Sequence, residues 1–218
     1  VEIALSLKKF LDLENKKEKN ITLVSRTDNL IKNSPNSVHK NVMSLLYKNN
    51  INVVLSDEVV EFKKNALITK HGKRINSQFN FLVTSISAPK WLSDTKLETT
   101  ENGFIEVNQY LQSSNKNIFS AGDVCSVRNF NLSKAGVYAV RQGPILYKNI
   151  RSKILKSQLV SYKPQKFFLS LIGDGQNEAV ATWGPLSFRS NWAWKLKRYI
   201  DEKFIRTYND LKFMKMES

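Results

Sequence analysis

Cysteine is nearly absent: Cys125 stands alone in 218 residues. A single thiol excludes a disulfide framework, a Cys-x-x-Cys redox couple and a thiolate metal cluster. Histidine is almost as scarce, and His39 and His71 lie far apart in the chain, so no metal set is expected. No run of about 18 apolar residues occurs, which leaves no stretch suited to a membrane-spanning helix. No charged-then-apolar leader opens the sequence either. Acidic residues are the minority, 19 against 34 Lys and Arg, for a net charge of +15. That balance favours anionic partners: nucleotides, nucleic acid or acidic lipid. Nucleic acid fits poorly, because the lysines are scattered and no helix-turn-helix, zinc-finger or aromatic RNA-binding signature appears. Val1 is not an initiator Met and helical spacing begins at once, so the chain is expected to be a piece of something longer.

The remaining composition is that of a globular protein, 41% hydrophobic and 24% charged. Val1, Ala4, Leu5 and Leu11 fall at helical spacing. Ile21–Val24 and Ile51–Leu55 are short apolar runs flanking a helical stretch, Val38–Tyr47, and this strand–helix–strand order builds a parallel sheet. Glu58–Phe62, Ala66–Thr69 and Arg74–Ile75 are short strands around tight turns, a small antiparallel meander. Phe79–Thr84 predicts a further strand, and a domain crossover is expected around 88–103. Gly103–Val107 is again strand-like, and Lys134–Lys156 predicts a long helix with Ser133 as its N-cap and Pro144 as a kink. Lys166–Ile172 and Glu178–Trp183 flank Gly173-Asp-Gly175, a hairpin signal, and Asn191–Tyr208 closes the chain as a helix.

One stretch organises the rest, Asn117-Ile-Phe-Ser-Ala-Gly-Asp-Val-Cys125. Ile118 and Phe119 read as the end of a buried strand, followed by three small residues and a lone acid, Asp123. In open α/β sheets ligands lie beyond the carboxyl ends of the strands. Gly122 admits close backbone approach, and an ionised carboxylate is a strong acceptor for sugar or ribityl hydroxyls. On these nine residues alone a strand followed by an Asp turn serves as well.

Taken together, the pieces resemble the pyridine nucleotide–disulfide oxidoreductase superfamily of two-dinucleotide flavoproteins. Gly103-Phe-Ile-Glu-Val-Asn-Gln-Tyr-Leu-Gln-Ser-Ser, running into Ile118-Phe-Ser-Ala-Gly-Asp123, is similar to that family's second flavin motif. Lys134-Ala-Gly-Val-Tyr-Ala-Val-Arg-Gln-Gly-Pro144 looks like the helix after it. Within the superfamily, type II NADH dehydrogenases are similar, and Asp174-Gly175 through Trp192–Phe204 looks like the carboxyl-terminal region of flavoproteins fused to selenide, water dikinase. The resemblance implies an α/β, Rossmann-like, three-layer flavoprotein fold, incomplete at its N-terminus, with a small α+β C-terminal region. It implies an NAD(P)-binding domain over 1–88, lacking its first strand and glycine-rich turn. The C-terminal segment of the FAD-binding domain would span 103–157, and a hairpin with an amphipathic helix 160–218.

It also implies roles. Asp123 would accept from the ribityl chain of FAD, with Gly122 giving close approach. Lys134, Ala135, Gly136 and Val137, the first turn of the next helix, would face the pyrimidine edge of the flavin. A helix N-terminus carries partial positive charge and suits the anion that forms there on reduction. Glu2 would face the nicotinamide of NAD(P)H; an exposed helix-start acid is the other reading. Where relatives grip the ribose with an acid, this chain has Ser25-Arg26, and Arg26 suits the 2′-phosphate of NADPH, although Asp28 is near enough to serve NADH. Ser85 stands where relatives usually have glycine. The cofactor carries the chemistry, so no catalytic acid, base or nucleophile is required and no metal is expected. Cys125 reads as a small, half-buried side chain rather than a redox thiol. Both pyrophosphate cradles precede Val1 in such proteins, so this stretch by itself is expected to bind flavin poorly and to be inactive alone.

Trp192, Leu196, Tyr199, Ile200 and Phe204 recur at helical spacing amid Lys195, Lys197, Arg198, Lys203 and Arg206. Residues 192–206 suit peripheral contact with an anionic membrane, as in quinone-reducing relatives, or docking on protein. The expected activity is FAD-dependent transfer of hydride from NAD(P)H to quinone or another small acceptor, in the cytoplasm or on the inner face of its membrane. Two alternatives stay open: a reductase arm fused to or associated with selenide, water dikinase, and a non-catalytic basic binding module.

Overall fold

A computed structural model describes residues 1–16, 19–31 and 34–209. By compactness the chain divides into two units, one formed by 1–80 with 167–218 and the other by 81–166.

The first unit is built on amphipathic helices. Helix α1, Glu2–Leu13, buries Leu5 and Lys8; the Lys8 stem lies inward while its ammonium pairs with Asp12 at 2.8 Å. Helix α2, Asn36–Lys48, buries Val38, Val42, Leu45 and Leu46, the i, i+4, i+7, i+8 positions that share one face. Strands β1, Ile21–Val24, and β2, Ile51–Val54, pair in parallel, Ile21 opposite Ile51, as the strand–helix–strand reading requires. β3, Val59–Lys63, β4, Ala66–Thr69, and β5, Arg74–Asn76, form the expected antiparallel meander.

Leu5, the α2 face and Ile51 share a core with Ile172 and Val180. Full burial of each leucine contributes about 1.5–3 kcal/mol. Ile172 and Val180 belong to the expected hairpin, β8, Leu169–Gly173, and β9, Ala179–Trp183, here extended by a third antiparallel strand. The last helix, Asn191–Asn209, lays Ala193 and Trp194 against that sheet. A Cβ on Gly173 would come within 2.7 Å of the Trp194 ring, so glycine is what lets the ring seat there.

In the second unit β6, Ile105–Val107, pairs in parallel with β7, Cys125–Val127, and α3, Gly136–Ile154, follows. Their core is Leu92, Ile105, Val107, Leu111, Cys125, Val127 and Tyr162.

Four expectations are corrected. Phe79–Thr84 is not a strand: it pairs with no segment among the described residues, and Phe79 stays 84% exposed. Apolar, β-prone residues make a strand only where a partner ladder exists. Ile118 and Phe119 contribute an isolated bridge, Phe119 with Gln112, rather than a strand end; Asp123 precedes β7 instead of closing a strand. The helix after it starts at Gly136 with Ala135 in the cap position and no side-chain cap, so Ser133 does not cap it. The third strand of the C-terminal sheet, β10, Leu186–Ser190, lay hidden behind Gly184-Pro185.

Candidate functional site

The polypeptide leaves β6, turns at Asn108–Leu111 and returns to a short 3-10 turn, Gly122–Val124, that leads into β7. Gly122 has φ +75°, a conformation that costs an L-residue roughly 1–2 kcal/mol. Its carbonyl accepts from the Cys125 backbone N–H and, at 3.5 Å, from Cys125 Sγ. Its own N–H donates to Gln142 Oε1 on α3 at 2.6 Å. The turn is therefore held from both sides, with Asp123 carried between.

Asp123 lines a small groove, open to solvent, with Gly122, Leu132, Ser133, Lys134, Ala135, Tyr138 and Gln142. Its enclosed space is about 20 Å³, room for about one water molecule, so a ligand here would lie along the groove rather than inside a cavity. The Asp123 carboxylate is half-buried, interacts with the charge of Lys134, and has no side-chain hydrogen bond among the described residues, so water or a ligand supplies its donors. Ala135, in the cap position of α3, stands on the same groove, and no side chain caps the helix start, which leaves its first N–H groups to water or a ligand.

Lys134 is placed differently from the expected anion contact. Its Nζ donates to the Cys125 carbonyl and lies 3.9 Å from the Phe104 ring centroid. Desolvation lowers its pKa, opposed by the charges of Cys125 and Asp123. Lys134 thus ties the loop to β7 and warms the local potential at Asp123. Cys125 is buried, and that burial raises its thiol pKa, against the pull of Lys134. A protonated, enclosed thiol is a packing group.

Of the residues expected to touch cofactor, Gly122, Asp123, Lys134 and Ala135 line this one cleft. Gly136 is exposed and Val137 half-buried; both open α3 beside the cleft without lining it. Glu2 and Arg26 belong to the other unit. Glu2 accepts from Gly173 N–H at 2.8 Å and faces Lys197 at 3.4 Å, so it braces β8 and the last helix. Arg26 follows β1, is 66% exposed on its side chain, and comes to 3.8 Å from Glu58. Ser25 and Thr27 hydroxyls flank it, 3.1 Å apart. Gln142 was not foreseen: a glutamine inside an amphipathic helix reads as a solvated residue, and nothing in its spacing announces a partner twenty positions upstream. No group of His, Cys, Asp and Glu suited to a metal ion occurs among the described residues.

The chemistry of this donor set fits part of a flavin nucleotide: one ionised acceptor for hydroxyls, a glycine with no Cβ, and an uncapped helix start.

Residues 1–143 match the family profile described as pyridine nucleotide-disulphide oxidoreductase. A curated NADH oxidase from Enterococcus faecalis is 28% identical over 149 residues, covering 63% of this chain and 33% of that protein. The chain thus spans about a third of that relative. Among solved structures, a sulfide:quinone oxidoreductase from Aquifex aeolicus superposes with TM-score 0.75 at 18% identity, covering 94% of this chain and 54% of that one. An FAD-dependent pyridine nucleotide-disulphide oxidoreductase from Desulfovibrio vulgaris gives TM-score 0.66 at 19% identity, covering 84% and 46%. At such identities these structures share the fold.

Proposed function

Since the chain belongs to the pyridine nucleotide-disulphide oxidoreductase family, we propose that it serves an FAD-dependent oxidoreductase that takes hydride from NAD(P)H and passes electrons to a quinone or another small acceptor. The observation that carries this reading is the half-buried Asp123 carboxylate sharing a groove with Ala135, where α3 begins without a side-chain cap. Bound flavin would supply the hydride-accepting chemistry. The chain's own part is to hold it. Asp123 accepts ribityl hydroxyls, Gly122 keeps the approach clear, and Ala135, Gly136 and Val137 offer backbone dipole to the anionic ring edge. Lys134, held on Cys125, adds positive potential from behind. In this reading 1–88 serve the nicotinamide nucleotide, 103–157 the flavin, and 160–218 the acceptor side.

Arg26 supports NADPH as the donor. Its guanidinium follows a parallel strand, where an acid would otherwise hold ribose hydroxyls, and only a loose 3.8 Å pair with Glu58 engages it. In the full-length protein Arg26→Ala is expected to weaken NADPH binding roughly tenfold by calorimetry and to leave NADH within about twofold. Equal loss for both nucleotides, or none for either, defeats the assignment.

The acceptor side includes the last helix, where Trp192, Tyr199, Phe204 and Tyr208 are exposed among Lys195, Arg198 and Arg206. This pattern supports peripheral attachment of residues 192–206 to an anionic membrane on the cytoplasmic side. A finer placement, as the reductase arm of a selenide, water dikinase, rests on Asp174-Gly175 and the Trp192–Phe204 stretch. A kinase domain encoded in frame with this chain would support it.

A further inference from the structure

We propose that Gln142 is a positioning residue that fixes the Asp123 carboxylate relative to the first turn of α3. The two ligand-facing groups of the cleft are then kept at one spacing. This rests on the flavin reading above and goes beyond it by naming what sets the geometry.

Gln142 is 2% exposed, a rare burial for an amide side chain that is not engaged. Its Oε1 takes the Gly122 N–H at 2.6 Å. With φ at +75°, Gly122 has left the extended conformation, so its N–H has no ladder to join. Gln142 supplies the missing acceptor. The Gly122 carbonyl is already occupied by Cys125. The two peptide units that meet at Gly122 are thus each held, and the second of them leads directly into the Asp123 Cα.

Gln142 also lies on the same helix as the uncapped turn at Ala135, seven residues and about two turns further on. A rigid helix therefore connects the N–H groups that meet one part of the ligand to the acceptor that holds Asp123 for the other part. Ala139 reinforces this, its Cβ 3.4 Å from where a Gly122 Cβ would stand. Tyr162 is buried beside Gln142. If Gln142 loses its acceptor, the turn is free to rotate about Gly122, and Asp123 leaves the cleft while α3 stays in place.

The test uses the full-length protein with Gln142→Leu, which removes the acceptor, and Gln142→Glu, which keeps an oxygen at the same reach. Hydrogen–deuterium exchange reads the peptide carrying Gly122, with the Glu106 amide on β6, bonded to the Glu98 carbonyl at 2.9 Å, as the control for global loosening. FAD affinity is read by fluorescence quenching. Gln142→Leu is expected to raise exchange at Gly122 and the FAD Kd by about tenfold each, with Glu106 unchanged. Gln142→Glu is expected to restore both to within about threefold. The proposal is overturned if Gly122 exchange does not rise in Gln142→Leu, if Glu106 rises in parallel, or if Gln142→Glu behaves like the leucine variant. Failure of the unaltered protein to take up FAD sinks the flavin reading instead, and the exchange experiment still decides the role of Gln142.

Discussion

Two carboxylates in this chain live opposite lives. Asp57 is buried but satisfied, taking the Glu58 N–H at 3.0 Å and His71 Nδ1 at 2.9 Å. The Thr69 hydroxyl, followed by His71, holds its pKa below the usual aspartate value. Because the folded value is depressed, its stabilisation is fully present above about pH 4 and is lost as pH falls through the folded pKa. Asp57→Asn should therefore lower stability at pH 7 and flatten the acid limb below about pH 4. Urea unfolding at pH 7 and pH 3 checks this; an unchanged slope between them contradicts it. Asp123 has no such hydrogen bonds among the described residues, and in the proposed function they come from a ligand. The sequence singled out this lone acid after Ser120-Ala-Gly122, but not its seat in a short turn ahead of β7 rather than at the end of a strand. Gln142 was not, since its partner is set by a turn that only the folded backbone reveals.

At the scale of elements, α3 does more than present its N-terminus. Asn149 is fully buried on it, donating from Nδ2 to the Tyr110 carbonyl at 2.8 Å and the Val160 carbonyl at 2.9 Å, and accepting the Val160 N–H at 2.7 Å. One side chain thus clasps the loop before the cleft and the segment after the helix. Asn149→Leu leaves three backbone groups without partners and is expected to cost about 2–4 kcal/mol in denaturant unfolding. A loss below about 1 kcal/mol would show that the clasp is dispensable. The long helices and paired strands were readable because their apolar residues repeat at 3.6 or 2 over several turns. The short ones were not. β7 is three residues long and exists through its register with Ile105–Val107, while Phe79–Thr84 has the right residues and no ladder. The helix begins after Ala135 rather than Ser133, and no hydroxyl caps it.

For the whole molecule, a net charge of +15 suits the anionic nucleotides that the proposed function calls for. The proposed membrane contact of the basic, aromatic last helix follows the same logic. All of it depends on one cleft taking one kind of ligand. The decisive measurement is the FAD dissociation constant of the full-length protein against that of Asp123→Ala, with circular dichroism to confirm equal folding. Loss of a charge-assisted acceptor predicts a Kd weaker by roughly 10- to 100-fold. Equal affinity in the two proteins, or no flavin uptake by either, would contradict the account.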